Sequence, residues 1–201
     1  MKISIVDYGA GNLPSVERAL GKLGADTQLA TAPEHIEAAK AIVLPGVGHF
    51  SAFVNGLRER NLDRPLRAAF DAGVPILGIC LGLQAMFAAS EEAPGEPGLG
   101  FLQGEVRALP SNVKSPHIGW NQLRRMRSSE LLRDVPDDAY FYFAHSFAAP
   151  AETAPTVAAC DHGMPFAAVV EQRNLLAVQF HPEKSGEVGA QVLRNFVEAL
   201  G

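Results

Sequence analysis

Three apolar runs that each break into a glycine turn constrain this chain more than any other feature. "KISIV" (2–6) runs into "DYGAGN", "AIVLP" (41–45) into "GVG", and "VPILGIC" (74–80) into "LG". Short runs rich in β-branched and apolar residues form buried strands. Helix-like stretches separate them. Val16, Ala19, Leu20 and Leu23 recur at helical spacing, with Pro14 in the first turn and Gly24 at the stop. "TQLA" is a further strand candidate, and residues 51–72 read as one or two helices. Strands alternating with helices predict an α/β fold whose sheet is mostly parallel and flanked by helices. Sites in such sheets lie at the carboxyl ends of strands. All three glycine turns are therefore expected at one edge.

The second half is richer in strands: "YFYFAHSF", "PTVAAC", "FAAVVEQ" and "LLAVQF" read as extended, and the sheet is expected to be mixed. "LGLQAMFAAS" (81–90) reads as a helix, and Val188, Val192, Leu193, Phe196 and Val197 mark an amphipathic C-terminal one. "EEAPGEPGLG" (91–100) is a loop too short for a domain linker. With 201 residues and 47% hydrophobic content, the expectation is one domain over 1–201 with a sizeable core. The net charge of -5 and the lack of a basic cluster argue against a nucleic-acid partner. No apolar run approaches ~20 residues, so no membrane partner is expected. No signal-peptide pattern opens the chain, and its two cysteines form no disulfide framework, which makes the cytoplasm the default address.

"GAGNLP" fails as a dinucleotide fingerprint, because Pro14 stands where the third glycine belongs. "GICLG" has the layout of a nucleophile elbow: Gly78 and Gly82 flank Cys80 at two positions each way, where side chains would collide in a sharp strand-to-helix turn. Taken alone, it fits a buried structural cysteine equally well. "VQFHPEKS" (178–185) adds a base. Pro182 holds His181 extended, so His181 and Glu183 project to the same side, as a base and its orienter do. "LPGVG" (44–48) and the Leu81 amide offer backbone donors for an oxyanion. Gln84, four residues after Cys80, shares its helix face. His35, His49 and His162 show no partner, while His117 and His145 fall in the richer segments "SPHIGWN" and "FAHSF". No spacing suggests a metal site.

With Cys80, His181 and Glu183 in view, the chain resembles the class I, triad-type glutamine amidotransferases. The motifs "DYGAGN", "LPGVGHF", "GICLGLQAMFAASEE", "PHIGWN", "YFAHSF" and "QFHPEKS" span nearly the whole chain. They are most similar to the glutaminase subunits of imidazole glycerol phosphate synthases. The resemblance implies a flavodoxin-like fold and a cofactor-free hydrolysis of L-glutamine through a Cys80 thioester. His181 and Glu183 would serve as base and orienter, and the Val47 and Leu81 amides would form the oxyanion site. It puts Gly46, Gly48, Gln84, Glu92, His145, Ser146 and Phe147 around glutamine. It also implies a cyclase partner with a (β/α)8 barrel, in a heterodimer, with Asn12, Trp120, Tyr142 and Lys184 at the interface.

Alternatives stay open at this stage. One is a glutaminase subunit serving anthranilate or pyridoxal phosphate synthesis. Another is a non-catalytic regulatory subunit on the same fold. An α/β-hydrolase fits less well, since its acid precedes its histidine. The glycines of "PGVG" would also let that peptide turn over on activation.

Overall fold

The apolar runs and glycine turns shape the computed structural model, which describes residues 2–152 and 155–201. Its first half runs β1 (Lys2–Val6), α1 (Leu13–Lys22), β2 (Asp26–Ala30), α2 (Pro33–Glu37), β3 (Ala41–Gly46), α3 (Phe50–Glu59), α4 (Asp63–Asp71), β4 (Ile76–Cys80) and α5 (Leu81–Ala85). The second half holds β5 (Phe87–Ser90), β6 (Leu102–Ala108), β7 (His117–Gln122), β8 (Arg124–Arg125), β9 (Tyr140–His145) and β10 (Phe147–Ala148). It closes with β11 (Thr156–Asp161), β12 (Pro165–Gln172), β13 (Leu175–Val178), a 3-10 turn at Pro182–Lys184 and α6 (Gly186–Glu198).

The central sheet has eight strands in the order β2-β1-β3-β4-β13-β12-β11-β8. Neighbours from β2 to β13 pair parallel, and β12, β11 and β8 add antiparallel pairings. This is the mixed, mostly parallel α/β sheet that the alternation predicts. Strands β3 and β4 are buried at every position, as strands covered on both faces must be. One face packs on Phe50, Phe53 and Leu57 of α3 and Leu66 of α4. The other packs on Val16 and Leu20 of α1 and on Leu193 and Phe196 of α6. Truncating a fully buried ring such as Phe196 to alanine would cost about 3–5 kcal/mol.

Two local expectations are corrected. "LGLQAMFAAS" is a single helical turn and then a strand. The segment 98–102 claims the carbonyls a longer helix would need: Leu99 N–H donates to the Ala85 carbonyl at 2.7 Å and Leu102 N–H to that of Met86 at 2.9 Å. With those acceptors taken, residues 87–90 pair with β6 instead. "YFYFAHSF" also divides at Ser146, with β9 pairing β7 and β10 pairing β6.

Candidate active site

Sheet register assembles the site. Gly46 lies opposite Cys80, and Val178 opposite Ile79. The ends of β3, β4 and β13 therefore emerge side by side at the edge foreseen from the glycine turns. Cys80 sits between strand and helix with φ 54 and ψ -110, a conformation that non-glycine residues rarely hold outside strained functional turns. The flanking glycines make the turn possible. A Cβ at Gly82 would lie 1.8 Å from the Leu44 carbonyl oxygen, and one at Gly78 would lie 2.8 Å from the Met86 methyl.

His181 follows β13 and is fixed on both sides. Its N–H donates to the Tyr142 carbonyl at 2.9 Å. The Ser185 hydroxyl donates to the His181 carbonyl at 2.7 Å while accepting the Tyr142 N–H at 3.0 Å. The ring Nδ1 bonds Glu183 Oε1 at 2.9 Å, with both side chains almost fully buried. The other ring nitrogen is left for Cys80, which lines the same cavity. Burial disfavours the charged ring, but hydrogen bonds to and charges on Cys80 and Glu183 outweigh it, and its pKa is pushed up to about 10. A proton leaving the sulfur thus has a strong acceptor beside it.

A cavity of about 190 Å³ opens over the sulfur, smaller than sites for drug-sized ligands and suited to a small polar molecule. Val47, Gly48, Cys80, Leu81, Gln84, Glu92, His145, Ser146, Phe147, His181 and Lys184 all line it. Gly46 lies beneath, where a Cβ would meet the Gly82 nitrogen at 2.7 Å. Several lining groups are already engaged. The Val47 amide donates to the Tyr8 hydroxyl at 3.0 Å. The Gln84 nitrogen donates to the Phe147 carbonyl at 2.7 Å and to Gln179 Oε1 at 3.1 Å, so only its oxygen remains for a ligand. Glu92 Oε2 accepts the Phe50 N–H at 2.9 Å. His145 has Nδ1 on the Phe147 carbonyl at 3.0 Å and Nε2 on His117 at 3.1 Å. Burial and the nearby His117 push its pKa down to about 3, so it lines the cavity as a neutral ring.

Of the residues expected at a partner interface, Lys184 lines the cavity, and Trp120, Tyr142 and Asn12 lie outside its wall. Trp120 is 55% exposed and meets the Tyr142 ring edge-on at 5.9 Å. The Lys184 ammonium stands 5.7 Å from the centre of that same ring. Asn12 is half-buried at the start of α1, where its carbonyl accepts the Ser15 and Val16 amides. Sequence reasoning passed over Tyr8 and Gln179. Both stand inside quoted motifs, "DYGAGN" and "VQFHPEKS", as polar side chains closing apolar runs, which is the signal that marks them. Among the described residues, no group of three or more acidic, His or Cys side chains is placed to hold a metal, and no helix is long and apolar enough to cross a membrane.

Comparison with known proteins agrees with this geometry. The family model for class-I glutamine amidotransferases matches residues 4–200. The imidazole glycerol phosphate synthase subunit HisH of Methanothermobacter thermautotrophicus is 47% identical, with 98% of each chain covered. That of Moorella thermoacetica is 45% identical, over 98% of this chain and 95% of its own. A crystal structure of a glutamine amidotransferase superposes with a TM-score of 0.78 at 22% identity, over 98% of both chains, and PurLQS from Thermotoga maritima with 0.77 at 18%, over 100% of this chain and 99% of its own. An elbow cysteine, a buried His–Glu pair and a small cavity over the sulfur thus coincide with a full-length family match: the chain belongs to the class-I glutamine amidotransferases, in the family of imidazole glycerol phosphate synthase subunits HisH.

Proposed function

We propose that this chain is the glutaminase subunit of an imidazole glycerol phosphate synthase, acting as a single domain over residues 1–201. The observation that carries the reading is the Cys80 sulfur at its strained elbow, sharing one small cavity with a His181 that Glu183 holds. His181 takes the thiol proton, and the thiolate attacks the carboxamide carbon of glutamine. The Leu81 amide, and that of Val47 once released from Tyr8, stabilise the oxyanion. The C–N bond breaks, the proton on His181 leaves with ammonia, and a γ-glutamyl thioester remains. His181 then takes a proton from water, which attacks the thioester and releases glutamate.

The ammonia passes to a cyclase subunit, a (β/α)8 barrel, which forms imidazole glycerol phosphate and AICAR in histidine biosynthesis. The exposed face of Ile118, Trp120 and Tyr140 supports a protein partner there, since it is apolar and rich in aromatic anchors. Tyr142 and Lys184 extend that face to the mouth of the cavity, and Asn12 belongs to the same proposed interface. The reaction needs no cofactor or metal, and neither nucleic acid nor membrane is a partner. A cytoplasmic heterodimer follows from the reading.

The test is glutamine hydrolysis by the chain with its cyclase partner and that partner's nucleotide ligand. Cys80→Ala is expected to abolish it. Retained hydrolysis by that variant would overturn the reading.

A further inference from the structure

Gln179 is fully buried at the end of β13, between Val178 and the His181 turn, and neither the resemblance nor the comparisons give it a role. Its side-chain nitrogen lies 3.6 Å from Cys80 Sγ. We propose that Gln179 is a further catalytic residue, whose amide N–H holds the Cys80 sulfur and stabilises the negative charge that develops there. The inference rests on Cys80 being the nucleophile.

The polarity of this contact follows from a chain of side-chain amides anchored on the backbone. The Phe147 carbonyl can only accept, and it lies 2.7 Å from the Gln84 side chain, so the Gln84 nitrogen must face it. That nitrogen carries a second proton, which reaches Gln179 at 3.1 Å. Gln179 must then present its oxygen to Gln84 and its nitrogen to the sulfur. Amide orientation is read from such networks, and here every step is forced by the one before. Gln84 is accordingly a positioning residue for Gln179, besides lining the cavity.

The sulfur has two further partners among the described residues. The His181 ring lines the cavity beside it and is coupled to it electrostatically, and the Ala144 carbonyl lies at 3.9 Å, placed to accept the thiol proton. The carbonyl favours S–H. Gln179 favours the thiolate, because an N–H donor strengthens as its acceptor gains charge. When the proton moves to His181, the Ala144 contact loses its donor and the Gln179 contact tightens. Once sulfur is bound in the thioester, its charge is gone and the Gln179 bond weakens. The amide therefore acts on the attacking species, within a buried network where a lost partner is costly.

Alkylation of Cys80 by iodoacetamide tests this without needing glutamine or a partner, and the partnered glutaminase assay then follows the reaction. Peptide mass spectrometry assigns the label. Cys160 is a poor competitor, since burial above all pushes its pKa up to about 12. Q179E keeps an acceptor for Gln84 but offers the sulfur no N–H. Q179M removes the donor without adding charge, and carries the test if the buried carboxylate prevents folding. Both are expected to slow alkylation at neutral pH at least about tenfold, and to lower kcat similarly with KM within about threefold. A purely structural role for Gln179 would shift the melting temperature and leave alkylation of the folded protein at the parent rate. Parent-like alkylation in folded Q179M would overturn the proposal. Failure of the glutaminase reading looks different: there Cys80→Ala would hydrolyse glutamine as the parent does.

Discussion

The Tyr8 hydroxyl grips Val47 from both sides of its Cα, accepting its amide proton at 3.0 Å and donating to its carbonyl at 2.8 Å. Burial raises the Tyr8 pKa above its ordinary value, so the phenol keeps the proton that it donates. An amide held this way is not available to a substrate oxyanion. The ring itself packs on Phe53, with centroids 4.3 Å apart, and would stay there without the hydroxyl.

Tyr8→Phe is therefore expected to free the Val47 peptide while keeping the ring contact. Glutamine hydrolysis by the chain alone should rise severalfold, and the further stimulation by a partner should shrink. The cost in stability should be about 1 kcal/mol, that of one or two lost hydrogen bonds with modest net worth. Steady-state glutaminase assays with and without partner check the first, urea denaturation the second.

His181 owes its raised pKa to Cys80 as well as to Glu183, against the opposing effect of burial. In Cys80→Ala the sulfur's hydrogen bond and charge are gone, and the ring should titrate lower than in the parent. NMR titration of labelled histidine measures this directly. The sign for stability follows from a folded pKa near 10 against an ordinary 6.5. The contribution of the charged ring is fully present below about pH 6.5 and is lost as pH rises toward about 10. Cys80→Ala should flatten that loss.

His117 and His145 predict the opposite behaviour in acid. Burial first, then neighbouring histidines, push their pKa values down to about 4 and about 3. The unfolded chain thus takes up protons that the folded one refuses. Stability should fall as pH drops below 6.5, by up to about 1.4 kcal/mol per pH unit for each such histidine. His117→Phe can keep the stacking on Phe143 and His162. It should give a shallower acid profile in urea denaturation, at about 1–2 kcal/mol lower stability near neutrality for the unpaired His145 nitrogen.

Gly82→Ala probes the elbow. A Cβ 1.8 Å from the Leu44 carbonyl oxygen cannot be accommodated without moving β3 or α5. The loss should reach about 3 kcal/mol or more, as overpacking against backbone does at its upper end. Soluble variant protein should also lose glutaminase activity, because the same shift displaces Cys80. Thermal melts and the partnered assay check both.

Much of this was legible in the sequence, because it is local. Gly78 and Gly82 around Cys80 announce a turn, since only small residues pack at that spacing. Pro182 fixes how His181 and Glu183 project. The apolar runs around 2–6, 41–45 and 74–80 announce buried strands and a shared edge. What the sequence did not carry depends on which strands become neighbours. The Gly46–Cys80 and Val178–Ile79 register brings Gln179 to a sulfur 99 positions away. The turn after β1 brings the Tyr8 hydroxyl to a peptide 39 positions on. Even the end of α5 was set from outside, by backbone N–H groups of residues 98–102 that took its carbonyls. Periodicity and turn chemistry report on a few adjacent residues, whereas hydrogen-bond partners across a sheet are chosen by strand order and register. The letters proposed as catalytic were therefore readable from the chain, and the groups packed around them only from the fold.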